Sequence, residues 1–433
     1  MRITIVGTGY VGLVAGTCFA ESGNDVTGLD VDASKVAKLS NGEVPIFEPG
    51  LNDLFARGVR EGRLRFTTNY DDAIPSAEII FLCLPTPPSE DGSADTRYVL
   101  SAAREIAKRM KGHKVIVSKS TVPIGTSALV EAEIKKHYSG EFSIASNPEF
   151  LKEGTAVEDF LRPDRVVLGV TDDRAWNALS MLYEPFVRTG APIIRMDPTS
   201  AELTKYAANG FLATKISFMN EIARLCEKTG ADVDLVRVGM SKDARIGASF
   251  LFPGIGYGGS CFPKDTRALV SSGKQFGVNM TIVNAAEEAN EIQKSVLIPR
   301  ILKHFKGSVE GKTIAIWGLA FKPRTDDIRE APALVLIEKL LAAKAKIRAF
   351  DPEAMSNVKK MVGDKIVFST NAYDAVDGAD ALVMCTEWNE FRTPDWTRVK
   401  SAMRGDAVFD GRNIYKSAYM REQGFAYYGI GKQ

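Results

Sequence analysis

The sequence is poor in cysteine and histidine, and neither residue type is clustered. Its five cysteines are scattered and odd in number, which argues against a disulfide framework and predicts a reducing, cytoplasmic location. The three histidines, His113, His137 and His304, lie far from one another and from any pair of cysteines. Because the spacing of zinc ligands is absent, we expect no bound metal.

An excess of one charge and long apolar runs are also missing. The 433 residues include 55 Lys and Arg and 54 Asp and Glu, so the net charge of +1 favours neither nucleic acid nor a membrane surface. We find no apolar run that could span a bilayer, and the first residues enter a strand without the pattern of a signal peptide. The length and a hydrophobic fraction of 45% predict a globular protein of two or three domains.

One loop concentrates the residues that suggest chemistry. Between Phe250 and Asp265, four glycines precede Cys261, and Lys264 and Asp265 follow it. Glycine lets the backbone approach a ligand closely, and a thiol beside cationic groups can ionise and act as a nucleophile. An isolated cysteine is more often a buried core residue, but the glycines and the Lys-Asp pair favour a functional loop.

The N-terminal segment has the arrangement of a dinucleotide-binding fold. A strand to Val6 is followed by Gly7-Thr-Gly-Tyr-Val-Gly12, a helix and a second strand that ends in Asp30. The glycines permit the turn, the approach of a pyrophosphate and close packing of helix on strand. The acid suits ribose hydroxyls and repels a 2′-phosphate, which predicts NAD rather than NADP. The residues that we expect at this cofactor site are Gly7, Gly9, Tyr10, Val11, Gly12, Asp30 and Lys35, of which Lys35 could instead be a solvated helix charge.

Later strands predict a polar rim at the carboxyl edge of the same sheet. The stretches 78–84, 115–119 and 143–146 are apolar enough for buried parallel strands. Ligands of open α/β sheets bind at the edge where such strands end. We therefore expect four polar residues on this rim, although each could instead be a cap or a turn residue. They are Thr86, Thr121, Glu149 and Glu153.

A long helix and a second Rossmann-like half follow. Residues 199–228 predict a helix on which Lys205 and Asn209 share one face, with apolar neighbours that favour a partly buried lysine. A helix of this length between two α/β units is also a natural dimer element. From residue 312 the pattern of strand, glycine turn, strand and acid returns without G-x-G-x-x-G. We therefore expect a nucleotide-bearing substrate there, with cationic candidates Lys322, Arg329 and Arg412.

The sequence thus predicts an α/β fold with two Rossmann-like, doubly wound parallel-sheet domains joined by a long central helix and a helical middle region. The predicted domains are 1–198, 199–307 and 308–433. An NAD site and a reactive cysteine indicate oxidation of an aldehyde through a thioester on Cys261, which water then hydrolyses to an acid. A hydroxy-acid dehydrogenase and a non-catalytic sugar-nucleotide binding protein are the alternatives.

Six segments of the chain carry motifs of one known family: Gly7–Leu13, Ser120–Pro123, Asn147–Thr155, Glu202–Asn209, Gly258–Asp265 and Gly318–Lys322. With these segments the chain resembles the nucleotide-sugar 6-dehydrogenases of the UDP-glucose/GDP-mannose dehydrogenase family. This resemblance implies oxidation of a sugar C6 alcohol to a carboxylate, with two NAD consumed per sugar and no aldehyde released, for uronate-containing polysaccharides. Two stretches, Phe250–Gly259 and Asp410–Tyr415, look more like UDP-glucose enzymes, and GDP-mannose or an N-acetylated UDP-sugar is the alternative.

The resemblance also implies roles for individual residues. It makes Cys261 the thioester nucleophile and lets Arg245 reach the substrate across the interface of a homodimer or larger homo-oligomer. The other catalytic residues that it implies are Lys205, Asn209, Asp265, Thr121 and Glu149. The cofactor is implied to meet Thr86, Thr121, Glu153, Lys264 and Arg329. The substrate is implied to meet Glu149, Phe150, Leu151, Lys152, Glu153, Lys205, Asn209, Phe250, Leu251, Phe252, Pro253, Gly254, Gly258, Phe262, Lys322 and Arg412.

Overall fold

The structure is a computed structural model that describes residues 1–89 and 92–432. The chain forms two units, one of residues 1–208 with 271–278 and one of residues 209–270 with 279–433. The division into three domains at residues 198 and 307 stays a prediction.

The first unit is built on eight short strands whose central members are wholly buried. Their bounds are β1 Arg2–Val6, β2 Asp25–Leu29, β3 Leu64–Thr67, β4 Ile79–Leu82, β5 Val115–Ser118, β6 Ser143–Ser146, β7 Val166–Val170 and β8 Ile193–Met196. They form one sheet in the order β3-β2-β1-β4-β5-β6-β7-β8. The first six strands of this order pair in parallel, as their continuous apolar sequences predict.

The pairing of β6 with β7 is antiparallel, so the prediction of a parallel sheet is wrong at this position. The connection between these strands, residues 147–165, contains one short helix and begins and ends at the same edge of the sheet. It therefore stays at the carboxyl edge of β6 instead of crossing back over the sheet. This path keeps the Asn147–Thr155 segment on the rim where ligands of such sheets bind.

Among the described residues of this unit, eight helices accompany the sheet, and three of them begin at a residue whose side chain caps the helix. Asp32 accepts hydrogen bonds from the main chain at the start of the second helix, and Asp172 does so at the start of the eighth. The core of one face centres on Phe19, which packs against Phe81 and Phe160. The bounds are α1 Tyr10–Glu21, α2 Ala33–Ser40, α3 Leu51–Arg60, α4 Tyr70–Ala73, α5 Arg97–Ala107, α6 Thr126–Lys135, α7 Ala156–Leu161 and α8 Asp173–Tyr183.

The predicted long helix is confirmed as α9, Pro198–Thr229, which begins in the first unit and ends in the second. Its first turns lie close to β7, since a Cβ on Gly169 would come within 2.6 Å of the Cβ of Ala201. The Glu202 carboxylate accepts hydrogen bonds from the main-chain N–H groups of Gly125 and Ser127 at the start of α6. These contacts fix the N-terminal part of the helix on the first unit.

The second unit contains the predicted Rossmann-like repeat. Its strands are β9 Thr313–Trp317, β10 Lys346–Phe350, β11 Val367–Phe368, β12 Ala381–Met384, β13 Ala407–Asp410 and β14 Ala426–Gly429. All pairs are parallel in the order β11-β10-β9-β12-β13-β14, which repeats the order of the first six strands. The helices are α10 Val233–Ser241, α11 Phe262–Gln275, α12 Thr281–Gln293, α13 Ile298–His304, α14 Pro332–Ala342, α15 Met355–Val362, α16 Ala372–Val376, α17 Asn389–Arg392, α18 Trp396–Ala402 and α19 Ser417–Glu422.

The described residues also bear on the sequence predictions about membrane spans, metal ligands and disulfides. Within residues 1–89 and 92–432, no helix combines the length and the apolar character needed to cross a bilayer. The same residues contain no group of three or more His, Cys, Asp or Glu side chains that could hold a metal ion. All five cysteines are free thiols.

Candidate active site

The turn between β1 and α1 leaves open space where a dinucleotide would place its pyrophosphate. Gly7 has a φ of 97°, and a Cβ there would lie 2.5 Å from the carbonyl oxygen of Cys83. A Cβ on Gly12 would lie 2.0 Å from the carbonyl oxygen of Gly7, so both positions require glycine. A Cβ on Gly9 would meet nothing within 4 Å, and no side chain caps α1 there. The open approach to an uncapped helix N-terminus fits the phosphates of NAD.

This geometry predicts opposite behaviour for two alanine variants. We expect Gly9→Ala to leave the free energy of unfolding within about 0.5 kcal/mol of wild type, since its Cβ enters empty space. The same Cβ occupies the approach of the pyrophosphate, so NAD affinity falls at least about tenfold, or about 1.4 kcal/mol. Gly12→Ala lowers the free energy of unfolding by about 1–3 kcal/mol. Urea denaturation and calorimetric titration with NAD measure both quantities, and unchanged NAD affinity in Gly9→Ala would contradict the assignment.

Asp30 lies at the end of β2, as its spacing predicts. Its Oδ2 accepts hydrogen bonds from the main chain and the hydroxyl of Thr8, at 2.9 and 2.7 Å, and from Lys35 Nζ at 2.9 Å. Burial pushes the pKa of Asp30 up, but the hydrogen bonds from Thr8 and Lys35 outweigh it and hold the pKa below its ordinary value. The side chain is therefore an ionised acceptor beside the glycine turn, with Lys35 next to it.

The end of the loop Asn147–Thr155 is held by hydrogen bonds to Glu48, a residue that we did not single out from the sequence. Its carboxylate accepts hydrogen bonds from the main-chain N–H groups of Gly154 at 2.6 Å and Ala156 at 2.7 Å, and from the Tyr10 hydroxyl. Glu48 thus ties the loop to the first turn of α1. A glutamate before Pro-Gly resembles an ordinary turn, so the sequence carries no signal of this long-range role.

The rim of the first unit brings Thr86 and Thr121 together and buries an ion pair. The Thr86 hydroxyl donates to the carbonyl oxygen of Thr121 at 2.9 Å. Lys205 Nζ lies 2.7 Å from the carbonyl oxygen and 3.0 Å from Oε1 of Glu149, whose Oε2 accepts from the N–H of Leu151. The side chains of Lys205 and Glu149 are only 4% and 7% exposed. Burial pushes the pKa of Glu149 up, but the charge of Lys205 outweighs it and holds the pKa below its ordinary value.

The neighbours of Glu149 on this rim are also ordered. Two cations lie over the Phe150 ring, with the Arg165 guanidinium 3.8 Å and Lys205 Nζ 5.5 Å from its centroid. Arg165 was not among the predicted site residues, because a cation over a ring leaves no spacing signal. Lys152 pairs with Asp159 at 2.9 Å. Three further predicted residues, Val11, Leu151 and Glu153, are half-buried.

In the second unit, Cys261 directly precedes the first residue of α11, and its loop is closely packed. A Cβ on Gly258 would lie 2.3 Å from the carbonyl oxygen of Glu330. Gly259 has a φ of 84°, and its N–H donates to the carbonyl oxygen of Arg329 at 2.7 Å. The loop therefore requires glycine at these positions and presents a half-buried thiol at a helix N-terminus, where negative charge is favoured.

Asp265 joins three of the predicted catalytic and cofactor residues in this unit. Its main-chain N–H donates to the carbonyl oxygen of Cys261 at 2.8 Å. Its Oδ2 accepts from Asn209 Nδ2 at 2.7 Å, and its Oδ1 lies 3.1 Å from Lys264 Nζ. Asp265 is only 1% exposed. A buried carboxylate held by an amide and an ammonium lies one helical turn after the thiol.

The predicted substrate segment Phe250–Gly254 is positioned by two residues that no sequence pattern singled out. Asn220 accepts a hydrogen bond from the N–H of Gly254 at 2.9 Å, and Gln293 donates to its carbonyl oxygen at 2.7 Å. Leu251 and Pro253 are buried, the Phe250 ring packs near that of Phe262, and Phe252 is exposed under the Arg237 guanidinium. Amide side chains on helices are common, so only the fold reveals which ones meet this loop.

The cationic candidates of the second unit have protein partners. Arg412 donates to the carbonyl oxygens of Cys385, Gly256 and Phe321, so it links the Cys261 loop to the edge of the sheet. Arg329 pairs with Asp327, Arg245 pairs with Asp243, and Lys322 lies over the ring of Phe321. The Arg245 side chain is 89% exposed. Ligand contacts of these four residues stay predictions.

The second unit has an acid at the position that corresponds to Asp30, but both of its carboxylate oxygens already accept hydrogen bonds from the protein. The Oδ2 of Asp351 accepts from the N–H groups of Leu319 and Ala320 and from Trp388 Nε1. Its Oδ1 accepts from the N–H groups of two following residues, Glu353 and Ala354. A fully buried carboxylate with five donors has no capacity for ribose hydroxyls. This fits the prediction that the second half is not another dinucleotide site.

Comparison with known proteins identifies the family of the chain. Models of the UDP-glucose/GDP-mannose dehydrogenase family match its NAD binding domain at residues 1–187, its central domain at 199–292 and its UDP binding domain at 315–417. A UDP-glucose 6-dehydrogenase from Pseudomonas aeruginosa is 46% identical over 100% of this chain and 98% of that relative.

Two solved structures extend the comparison. A UDP-glucose dehydrogenase from Pyrobaculum islandicum matches with a TM-score of 0.91 and 37% identity, over 100% of this chain and 98% of the other. A UDP-D-ManNAc dehydrogenase from Pyrococcus horikoshii matches with a TM-score of 0.86 and 29% identity, over 100% and 99%. The chain therefore belongs to the UDP-glucose/GDP-mannose dehydrogenase family, as an NAD-dependent oxidoreductase of nucleotide sugars.

Proposed function

We propose that this protein oxidises the C6 alcohol of UDP-glucose to a carboxylate, which gives UDP-glucuronate and consumes two NAD per sugar. The observation that carries the proposal is the half-buried Cys261 thiol at the start of α11, with the buried, Asn209-bonded Asp265 one turn later. A protein that only binds sugar nucleotides, or transfers a single hydride, has no use for a thiol in this position. The 46% identical UDP-glucose 6-dehydrogenase supports the choice of sugar.

In this mechanism bound NAD supplies the acceptor for the hydride in each of two oxidations. Loss of a proton and a hydride turns the C6 alcohol into an aldehyde, and Lys205 and Asn209 donate hydrogen bonds to its oxygen. The Cys261 thiolate adds to the aldehyde carbon and forms a thiohemiacetal. Loss of the second hydride leaves a thioester, so the aldehyde never leaves the enzyme.

Hydrolysis of the thioester regenerates the thiol and completes the balance. One water adds to the thioester carbon and loses a proton to Asp265, with Glu149 and Thr121 holding the water or transferring protons. The carbon–sulfur bond then breaks, and the sulfur leaves as thiolate. The overall reaction takes one alcohol, two NAD and one water to one carboxylate, two NADH and three protons.

The choice of sugar nucleotide has a specific alternative. The match to a UDP-D-ManNAc dehydrogenase makes an N-acetylated UDP-sugar the second candidate, and GDP-mannose is the third. For the favoured substrate, we assign the UDP moiety to the Phe250–Gly254 segment with Lys322 and Arg412. Arg245, whose side chain is 89% exposed in a single chain, is assigned to the substrate of a second copy.

The stoichiometry of NADH release tests the proposal. With limiting UDP-glucose and excess NAD, we expect two NADH per sugar, measured by absorbance, and UDP-glucuronate as the product by mass spectrometry. GDP-mannose and UDP-N-acetylmannosamine serve as parallel substrates and should give little NADH. If only one of these two sugar nucleotides is oxidised, that compound replaces UDP-glucose as the proposed substrate and the mechanism stands. Release of one NADH per UDP-glucose would instead contradict the thioester mechanism.

We further propose a homodimer that forms along α9, in the cytoplasm. Three apolar side chains, Phe211, Phe218 and Leu225, recur every seven residues on this helix and are 66%, 46% and 57% exposed. In a two-fold symmetric dimer, these apolar side chains would pack against the same side chains of a second copy of the helix. The five free cysteines support a reducing compartment.

A single charge placed in this apolar stripe should weaken the proposed dimer. Phe218→Asp places a carboxylate among apolar side chains, so we expect the dissociation constant of the dimer to rise roughly 30- to 1000-fold, equivalent to about 2–4 kcal/mol. Sedimentation velocity over a range of concentrations measures this shift. The matched control is Tyr419→Asp, which changes an equally exposed aromatic residue on α19. Equal dissociation of both variants would contradict an interface on α9.

A further inference from the structure

Lys119 is a buried lysine that the proposed chemistry does not use. It follows β5 at the carboxyl edge of the first sheet and is 3% exposed. The rings of Phe81, Phe160 and Tyr183 lie around its Nζ, with centroids at 6.0, 5.6 and 5.8 Å. Nζ donates to Asn147 Oδ1 at 2.9 Å and to the Tyr183 hydroxyl at 3.2 Å, both neutral groups. Among the described residues, Lys119 forms no ion pair.

This arrangement costs stability. Burial lowers the pKa of Lys119 to about 8, because its ammonium has left water without a carboxylate of its own. An apolar side chain of similar length would avoid that penalty. A buried charge that carries such a penalty is a candidate for a functional role when it lies at a ligand-binding edge.

The partner of Lys119 begins the turn that carries Glu149. The Asn147 N–H donates to the carbonyl oxygen of Ser118 at 2.8 Å, and its Nδ2 donates to that of Val167 at 2.9 Å. With Oδ1 held by Lys119, the asparagine is fixed by strands on both sides of β6. Two residues later Glu149 meets Lys205, and Lys119, Asn147 and Glu149 line one cavity of about 90 Å³.

We propose that Lys119 is a positioning residue for Glu149, which fixes the Asn147 turn by its hydrogen bond and holds the Glu149 carboxylate ionised by its charge. This inference rests on the proposed function, in which an ionised Glu149 acts near C6. The ammonium of Lys119 thus adds to that of Lys205, so that one carboxylate lies in the field of two cations.

Three further titratable groups lie near Lys119 and are neutral in the working range. They are Cys18 on α1, Cys83 after β4 and Tyr183 at the end of α8. Burial raises the pKa of each cysteine to about 12 and that of the tyrosine well above its ordinary value. Five charged residues also line the cavity, namely Lys152, Asp159, Arg162, Asp164 and Arg165, and they are unchanged in the variants. A difference in the acidic limb between wild type and a Lys119 variant therefore reports on the lost charge.

The test is the pH profile of Lys119→Met, which removes the charge and keeps the length of the side chain. We expect the acidic limb of kcat/KM to move about one pH unit towards higher pH, since the loss of a nearby cation raises the pKa of a carboxyl group. We expect kcat at pH 7 to fall about tenfold, with KM for UDP-glucose and NAD within about twofold. The thermal midpoint at pH 7 should not fall, because a buried charge has been replaced by an apolar group.

Two further variants separate charge from packing. Tyr183→Phe removes a hydroxyl that bonds both Lys119 and Asn147 without a change of charge, so its acidic limb should stay at the wild-type position. Lys119→Gln is neutral but keeps a donor for Asn147, and it should show the same shift of the limb as Lys119→Met if the latter does not fold. An unmoved limb in both neutral variants, with a lowered thermal midpoint, would show that Lys119 is only structural.

The two proposals fail in different ways. A wild-type enzyme that does not release two NADH per UDP-glucose removes the proposed function. An unmoved acidic limb in neutral variants of an enzyme that does release two NADH removes only the role of Lys119. The dependence of urea denaturation on pH gives a second readout without substrate. The stability that ionised Glu149 contributes in wild type should be lost at a higher pH in Lys119→Met as the pH falls.

Discussion

The Cys261→Ser enzyme should form UDP-glucuronate at least about a thousandfold more slowly than wild type. A serine hydroxyl at the start of α11 stays protonated, whereas a thiol is far more acidic and yields a thiolate that can attack the aldehyde carbon. Without the thiohemiacetal, the second hydride transfer has no good donor. Rapid-quench mass spectrometry of the sugar nucleotide, with NADH absorbance in the same samples, measures both oxidations.

Two control variants separate loss of the nucleophile from damage to the fold. Cys226→Ala removes a thiol that is 3% exposed in α9 and outside the Cys261 loop, so it should retain most activity. Ser260→Ala removes the hydroxyl whose Oγ lies 3.6 Å from the Sγ of Cys261, and it should keep the stoichiometry of two NADH. Acid formation by Cys261→Ser at a near wild-type rate would leave a dehydrogenase that uses no thioester.

The second large effect is expected for Lys205→Met, which leaves the buried Glu149 carboxylate without the cation that it contacts directly. We expect the free energy of unfolding at pH 7 to fall by about 3–5 kcal/mol, since a broken buried pair leaves an uncompensated charge. We also expect kcat to fall at least about a hundredfold, because a donor to the reacting oxygen is lost. Urea denaturation and steady-state kinetics measure the two losses.

The pH dependence of this deficit has a defined sign. In wild type the pKa of Glu149 is below its ordinary value, so the ionised group stabilises the fold above the unfolded pKa, and this contribution is lost as the pH falls through the folded pKa. In Lys205→Met burial dominates and raises the pKa, so the carboxylate destabilises the fold at pH 7 and proton uptake relieves it. The deficit should therefore shrink as the pH falls from 7 to 5.

A double variant completes the thermodynamic cycle. Glu149→Gln with Lys205→Met removes both charges, so it should recover much of the stability that Lys205→Met loses. It should not recover activity, since both groups act in the proposed mechanism. A double variant as unstable as Lys205→Met would show that the loss comes from packing of the lysine chain rather than from the unpaired carboxylate.

Regular structure and the cofactor turn were predictable because they depend on local patterns. Continuous apolar runs predicted the central strands, and the glycine spacing from Gly7 to Gly12 predicted a turn in which two of three glycines have no room for a Cβ. The periodic helix after residue 198 and the second Rossmann-like sheet also follow from such patterns. The likeness of the Cys261 loop to a known family added the chemistry.

The direction of β7 and the supports of the candidate site were not predictable in this way. An apolar strand has the same pattern in either direction, so the sequence does not say whether β7 pairs in parallel with β6. Glu48 meets a main-chain group 106 residues later, and Arg412 meets one 156 residues earlier. Contacts between residues so far apart in the chain produce no repeating pattern in the sequence, so they could not be predicted from it.

The sequence by itself determined which segments become strands and helices, where a dinucleotide fits and which thiol stands out. These properties depend on neighbouring residues, whose spacing fixes local conformation. Only the tertiary structure decided which polar side chains become buried together, as in the ion pair of Lys205 with Glu149 and the hydrogen bond of Asn209 to Asp265. The strength of such contacts depends on loss of water, and water is excluded only after distant segments have packed.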